Sequence, residues 1–240
     1  MVKNTDESKI IGDVKKVDTS AKSYLLPKIS TEGWGIIAAF FVAAFLLTLV
    51  SNVVGMFAIA VALFAFYFFR DPERTTPKGD DLIIAPADGI LLPLRETELP
   101  EELGVEGHDK YVKFSIFMSV FNVHVNRNPV SGVVLKALYI AGKFFNADLD
   151  KASKDNERNL VLLETKNGDK VCYVQIAGLV ARRIVCRIKD GDEVVAGERF
   201  GLIKFGSRLD VYLPVDKYDV KVIAGQVMVA GETVLAVRKK

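Results

Sequence analysis

RFGLIKFGSRLDVYLP, residues 199–214, holds two apolar runs of strand character, RFGLIKF and LDVYLP, joined through Gly206-Ser207. Glycine weakens a strand interior and marks a bulge or a close approach by another group. The plain reading is therefore a bulge carrying a surface serine, and the alternative is a serine placed for chemistry. Working outward, the same texture recurs on both sides: LIIAP, GILLPL, YVKFSIFMSV, VVLKALYIAG, LVLLET, KVCYVQIAGLV, RIVCRI and TVLAVR are short apolar or alternating runs divided by Gly, Asp, Asn and Pro. That is strand chemistry, and its spacing predicts a mainly β, antiparallel domain with some α+β character over residues 82–240, without βαβ alternation. No repeat of solenoid or propeller period is visible. One stretch stands apart: FFNADLDKASKDNERN, 144–159, is polar and too long for a hairpin turn, and a loop of that kind in a compact domain is often functional.

Upstream the character changes. Residues 1–33 are polar and mixed in charge, with no apolar core behind a short basic start, and read as a cytoplasmic tail rather than a cleavable signal. Trp34 to Phe69 then runs without one charged residue, far beyond the ~18 that signal a membrane span. As one straight helix it would reach ~54 Å at about 1.5 Å per residue, too long for a hydrocarbon core of ~30 Å. Ser51-Asn52, followed by Gly55, is the natural break, which predicts a transmembrane helical hairpin over 34–69. Lys22 and Lys28 before it and Arg70, Arg74 and Lys78 after it put both ends in the cytoplasm by the positive-inside rule, with a single tilted span as the alternative. Residues 70–81 form a turn-rich linker.

Composition removes several classes of function. Lys+Arg 32 against Asp+Glu 30 leaves a net charge of +2, so no basic field advertises nucleic acid. Cys172 and Cys186 lack C-x-x-C spacing, and with only His108 and His124 present no histidine-built metal site is expected. Three places could do chemistry. Asp88 lies in APADG (85–89), where a turn aspartate bonding its own backbone is the ordinary reading. His124 lies in FNVHVNRNP (121–129), sharing a polar, solvent-facing side of the alternation with Asn122 and Asn126. Ser207 completes a set in which a carboxylate orients an imidazole and the imidazole takes a proton from a hydroxyl. No G-x-S-x-G elbow accompanies it.

Taken together, FRDPER (69–74), APADG (85–89), FNVHVNR (121–127), KFFNADLDKASKDNERN (143–159) and GERFGLIKFGSRLDVYLP (197–214) resemble the phosphatidylserine decarboxylase proenzymes, in particular the short bacterial and archaeal form. The resemblance implies that Ser207 Oγ attacks the carbonyl of Gly206 and that β-elimination then frees a β chain, 1–206, from an α chain, 207–240, the two staying together as a heterodimer. Ser207 would become a pyruvoyl group, the covalent cofactor, whose ketone takes the amine of phosphatidylserine and accepts electrons as CO₂ departs. The product would be phosphatidylethanolamine. His124 would be the base and Asp88 its orienting partner, with Arg208 as a candidate phosphate contact or, equally, a member of a structural salt bridge, and Asn126 as a second substrate contact. A membrane location fits it, since the substrate resides in the bilayer; the positive-inside pattern puts the catalytic domain on the cytoplasmic side, and a higher oligomer stays open. Longer relatives have Leu-Gly-Ser-Thr at the cut and a second histidine three residues before the first. Here those positions read Phe-Gly-Ser-Arg and Phe121, so the acid that reprotonates the carbanion is unassigned.

Two rivals come from other classes. DGDEVVAGERFGLI (190–203) has the turn spacing of biotinyl and lipoyl carrier domains, with Lys217 as a candidate attachment point, and a membrane-anchored serine hydrolase would use the same three residues on an intact chain.

Overall fold

The computed structural model describes residues 28–105, 109–143, 155–178, 183–204 and 206–239. His108, Phe205, the first part of the predicted polar loop (144–154) and the tail before Lys28 lie outside the described residues.

The β pattern is realised as expected, with every strand pairing antiparallel. In chain order the strands are β1 (Lys28–Ile29), β2 (Arg70–Asp71), β3 (Leu82–Ile84), β4 (Gly89–Leu91), β5 (Arg95–Thr97), β6 (Tyr111–Met118), β7 (Val125–Arg127), β8 (Gly132–Ile140) and β9 (Arg158–Thr165). They continue as β10 (Lys170–Ala177), β11 (Ile184–Cys186), β12 (Glu193–Val194), β13 (Arg199–Ile203), β14 (Ser207–Pro214), β15 (Tyr218–Val220), β16 (Val227–Met228) and β17 (Val234–Arg238). The main sheet runs β12-β8-β9-β10-β14-β6-β4-β16, with β5 added to β6, while β11-β13-β7 and β15-β17-β3 form two smaller sheets.

The middle of the main sheet is covered on both faces, which explains why β10 and β14 read as nearly continuous buried runs. Val171, Tyr173, Leu209, Val211 and Leu213 face a large core shared with Phe200 and Ile203 of β13. Their neighbours Cys172, Val174, Ile176 and Tyr212 face a second core closed by Leu103 and Leu160. The period of two along each strand sorts the side chains between the cores.

The charge-free run forms two helices, α1 (Trp34–Thr48) and α2 (Asn52–Phe68), broken at Leu49–Ser51 close to the expected turn. Gly55 lets them approach, since a Cβ there would stand 2.3 Å from Thr48 Cγ2. With 15 and 17 residues the helices are ~22 and ~25 Å long at about 1.5 Å per residue. Among the described residues no helix is long and apolar enough to cross a membrane, so the expected transmembrane hairpin is not realised as two full spans. The turn and the caps consume residues that the sequence count had assigned to the legs.

At the far end the hairpin exposes a large apolar surface, with Val50, Val53 and Phe57 each more than 70% accessible. At its base it is anchored. Ile37, Ala65, Phe68 and Phe69 pack with Val123, Val125 and Leu202, and β1 pairs with β2 so that Ile29 faces Arg70. Both ends of the hairpin therefore leave on the side of the β layers.

Candidate active site

β14 begins at Ser207, one residue after Gly206, whose φ of +61° lies in the left-handed region that glycine adopts without a Cβ penalty. Nothing lies within 4 Å of the position a Cβ would take, so conformation rather than crowding calls for glycine here. Ser207 is fully buried, opposite Met118 of β6 and Ala177 of β10. The surface serine of the plain reading is excluded.

His124 reaches the same point from the segment leading into β7, with Gly206 N–H donating to Nε2 at 3.3 Å. The other ring nitrogen, Nδ1, stands 3.0 Å from Asn122 O. A carbonyl oxygen can only accept, so Nδ1 carries the proton and Nε2 keeps its lone pair toward the Gly206-Ser207 junction. The ring is fully buried rather than solvent-facing, because the polar side of the 122–126 alternation turns inward beneath the hairpin. Burial lowers its pKa from 6.5 to about 4, with the Asn122 carbonyl opposing the shift and Arg70 adding to it. A neutral histidine whose Nε2 lone pair is turned to the Gly206-Ser207 junction is suited to act as a general base at neutral pH. Phe68, the last residue of α2, lies against the ring with centroids 4.3 Å apart and planes at 36°.

Asn126 and Ser207 share one neighbour, as Asn126 Nδ2 and Ser207 Oγ both approach Met118 Sδ at 3.8 Å. Gln175 Nε2 donates to Asn126 Oδ1 at 2.9 Å, and Asn159 Nδ2 donates to Gln175 Oε1 at 3.4 Å. A chain of amides thus backs the serine within the large core.

The remaining expected residues are placed differently. Asp88 does not touch His124: Arg74 Nη2 donates to its Oδ2 at 2.8 Å and Ala230 N–H to its Oδ1 at 2.8 Å. Burial raises the Asp88 pKa, while Arg74 and the Ala230 amide oppose the shift. The imidazole is oriented by Asn122 and Phe68 instead. Arg208 points to the opposite side of β14 from Ser207 and pairs with Asp210, Nε to Oδ1 at 2.8 Å and Nη2 to Oδ2 at 3.1 Å, at 1% and 0% side-chain exposure. A guanidinium buried in the second core is not available to a phosphate at the serine. Lys217, the carrier candidate, is 3.5 Å from Asp169 in the turn after β14.

Sequence reading missed Gln175, Met118, Phe68 and Arg70. Gln175 left a signal as the lone amide in the apolar run KVCYVQIAGLV, whereas Phe68 is one aromatic among many in the charge-free run.

The family profile described as phosphatidylserine decarboxylase matches residues 61–236, from within α2 into β17. The chain belongs to this family. It is 50% identical over 208 residues to the phosphatidylserine decarboxylase proenzyme of Rickettsia akari (strain Hartford), covering 87% of this chain and 89% of that one. The corresponding proenzymes of Rickettsia bellii (strain OSU 85-389) and Rickettsia felis are 49% and 50% identical with the same coverage. Membership in a decarboxylase family makes the chain an enzyme and sets aside the carrier and hydrolase readings. Gly206, Ser207 and His124 all fall inside the matched region.

Proposed function

We propose that the chain cuts itself between Gly206 and Ser207 and that the processed enzyme decarboxylates phosphatidylserine to phosphatidylethanolamine at a membrane surface. The observation that carries this is the neutral Nε2 of His124 at 3.3 Å from the Gly206 amide, beside a buried serine that follows a left-handed glycine. His124 takes the hydroxyl proton of Ser207, and Oγ attacks the Gly206 carbonyl carbon, so that the 206–207 C–N bond breaks as the C–O ester bond forms. Loss of the Ser207 Cα proton to a base then expels the Gly206 carboxylate. The resulting dehydroalanine takes up water and releases ammonia, leaving a pyruvoyl at residue 207. Gly206 helps because a residue without Cβ leaves the carbonyl open and turns at low cost.

The pocket suits a pyruvoyl group: residue 207 is enclosed and faces neutral polar and sulfur groups, Asn126 and Met118. When present, that group supplies an electron sink for the pair released with CO₂. Asn126, held by Gln175, orients the bound headgroup, and His124 moves protons at the same spot. Asp88 acts one step away as a positioning residue, holding the Arg74 side of the linker.

For the exposed apolar hairpin we assign a membrane-embedded role, on the cytoplasmic face, where the substrate resides. Two products, 1–206 and 207–240, remain together because β14 pairs with both β6 and β10. The test is release of CO₂ from phosphatidylserine in detergent micelles by the purified chain. Turnover by the wild type and none by Ser207→Ala supports the reading; equal turnover by both sinks it.

A further inference from the structure

Arginines in this fold are repeatedly matched to carboxylates: Arg74 to Asp88, Arg158 to Glu102, Arg199 to Asp71, Arg208 to Asp210 and Arg238 to Asp169. Arg70 departs from this. Its partners are two neutral carbonyls, with Nη1 donating to Tyr67 O at 2.9 Å and Nη2 to Phe121 O at 2.7 Å, and its guanidinium lies 3.8 Å over the Tyr67 ring. Asp88, whose field it feels, is already bridged to Arg74. The cation is half-buried and held in a fixed orientation, with no carboxylate of its own among the described residues.

Its position gives that charge a use. Arg70 directly follows the charge-free run, at the base of the hairpin, and it grips Phe121, three residues before His124. Phe121 itself is 64% exposed and meets Phe64 of α2 edge-on. An acyl chain lying along the hairpin would therefore end beside Phe121 with a fixed cation next to it and the imidazole just beyond. Building on the function proposed above, we infer that Arg70 is a substrate-binding residue that takes the phosphate oxyanion of the lipid headgroup. Guanidinium is suited to this by its planar fork of donors and its permanent charge. The phosphate would be fixed at the junction of apolar and polar surfaces, and the serine moiety would project toward residue 207.

The test compares wild type, Arg70→Gln and Arg70→Lys on two substrates in neutral detergent micelles: phosphatidylserine, and a long-chain O-alkyl serine that has the amine and carboxylate but no phosphate. Arg70→Gln should still cleave at Gly206-Ser207 on a denaturing gel, raise KM for phosphatidylserine roughly tenfold or more, and leave KM for the phosphate-free lipid unchanged. Arg70→Lys should recover part of the loss. Equal effects on both lipids, or an uncleaved Arg70→Gln chain, would make Arg70 a prop for the 121–124 segment and overturn the inference. Inorganic phosphate separates the sources: failure to compete against wild type fits a lipid headgroup, and inhibition that disappears in Arg70→Gln would mark a free-phosphate site instead. A wild type inert on phosphatidylserine would sink the parent reading, an outcome distinct from any result confined to the variants.

Discussion

Ser207 and Arg208 are consecutive on β14 and almost equally buried, yet the two faces of the strand handle polar groups in opposite ways. On the Arg208 face a full charge is cancelled by a full charge, Asp210, within an apolar core. On the Ser207 face no ion pair among the described residues touches the serine. The hydroxyl meets a sulfur, the adjacent amide N–H meets a neutral imidazole, and an amide chain from Asn126 to Gln175 fills the space behind. A cancelled charge holds a strand in place and has little reactivity left. A neutral base whose lone pair faces the cut site is reactive because burial has stripped its proton. The same low-polarity surroundings thus serve stability on one side and chemistry on the other.

That contrast can be broken most severely at the serine itself. Ser207→Ala should abolish both self-cleavage and decarboxylation while leaving the fold intact, read as a single full-length band on a denaturing gel. His124→Ala should slow cleavage by about 10²–10⁴-fold, the usual range for a general base; a time course of band conversion measures it. A slowing of less than about tenfold would mean that the imidazole is scenery.

On the opposite face the expected effect is on stability. Arg208→Met takes the cation away from buried Asp210 and should cost about 3–5 kcal/mol in denaturant unfolding, whereas replacing both members with apolar residues should cost far less and still permit cleavage. If the double variant is as unstable as the single, the pair is not acting as a mutually cancelling unit. Gln175→Leu removes a donor to Asn126 and should cost about 1–3 kcal/mol, with slower turnover and little change in cleavage.

The smallest perturbation is pH. Because His124 titrates near 4, it is neutral above that value and loses its acceptor lone pair below it. The cleavage rate should stay flat through neutral pH and fall only as pH drops toward 4. A fall beginning near 6.5, the ordinary histidine value, would mean that the ring is solvated at the moment of reaction.

Much of this was legible before any coordinates. The strands announced themselves because β-branched and aromatic runs between turn residues have few alternatives, and the helix break fell close to Ser51 because serine, asparagine and glycine cluster there in an apolar run. Ser207 and His124 were singled out as candidates by a glycine inside a strand pattern and a scarce histidine, and their roles came only from the family resemblance. Of the two readings open for Arg208 the structure has the salt bridge, to Asp210 two positions on, while Asp88 is held by Arg74 and by the Ala230 amide, 142 positions away, a partner that no local pattern announces. Facing was equally hidden for Arg208, since the register that puts Ser207 on the reactive side turns the next residue away. The spanning hairpin was overestimated because counting uncharged residues does not reveal how many the caps and turn remove.

Intact mass measurement of freshly purified wild-type chain reaches the central claim most directly. The account predicts two species, residues 1–206 and a fragment 207–240 whose N-terminus carries a ketone that reacts with hydroxylamine. A single uncut mass in material that fully decarboxylates phosphatidylserine would contradict it.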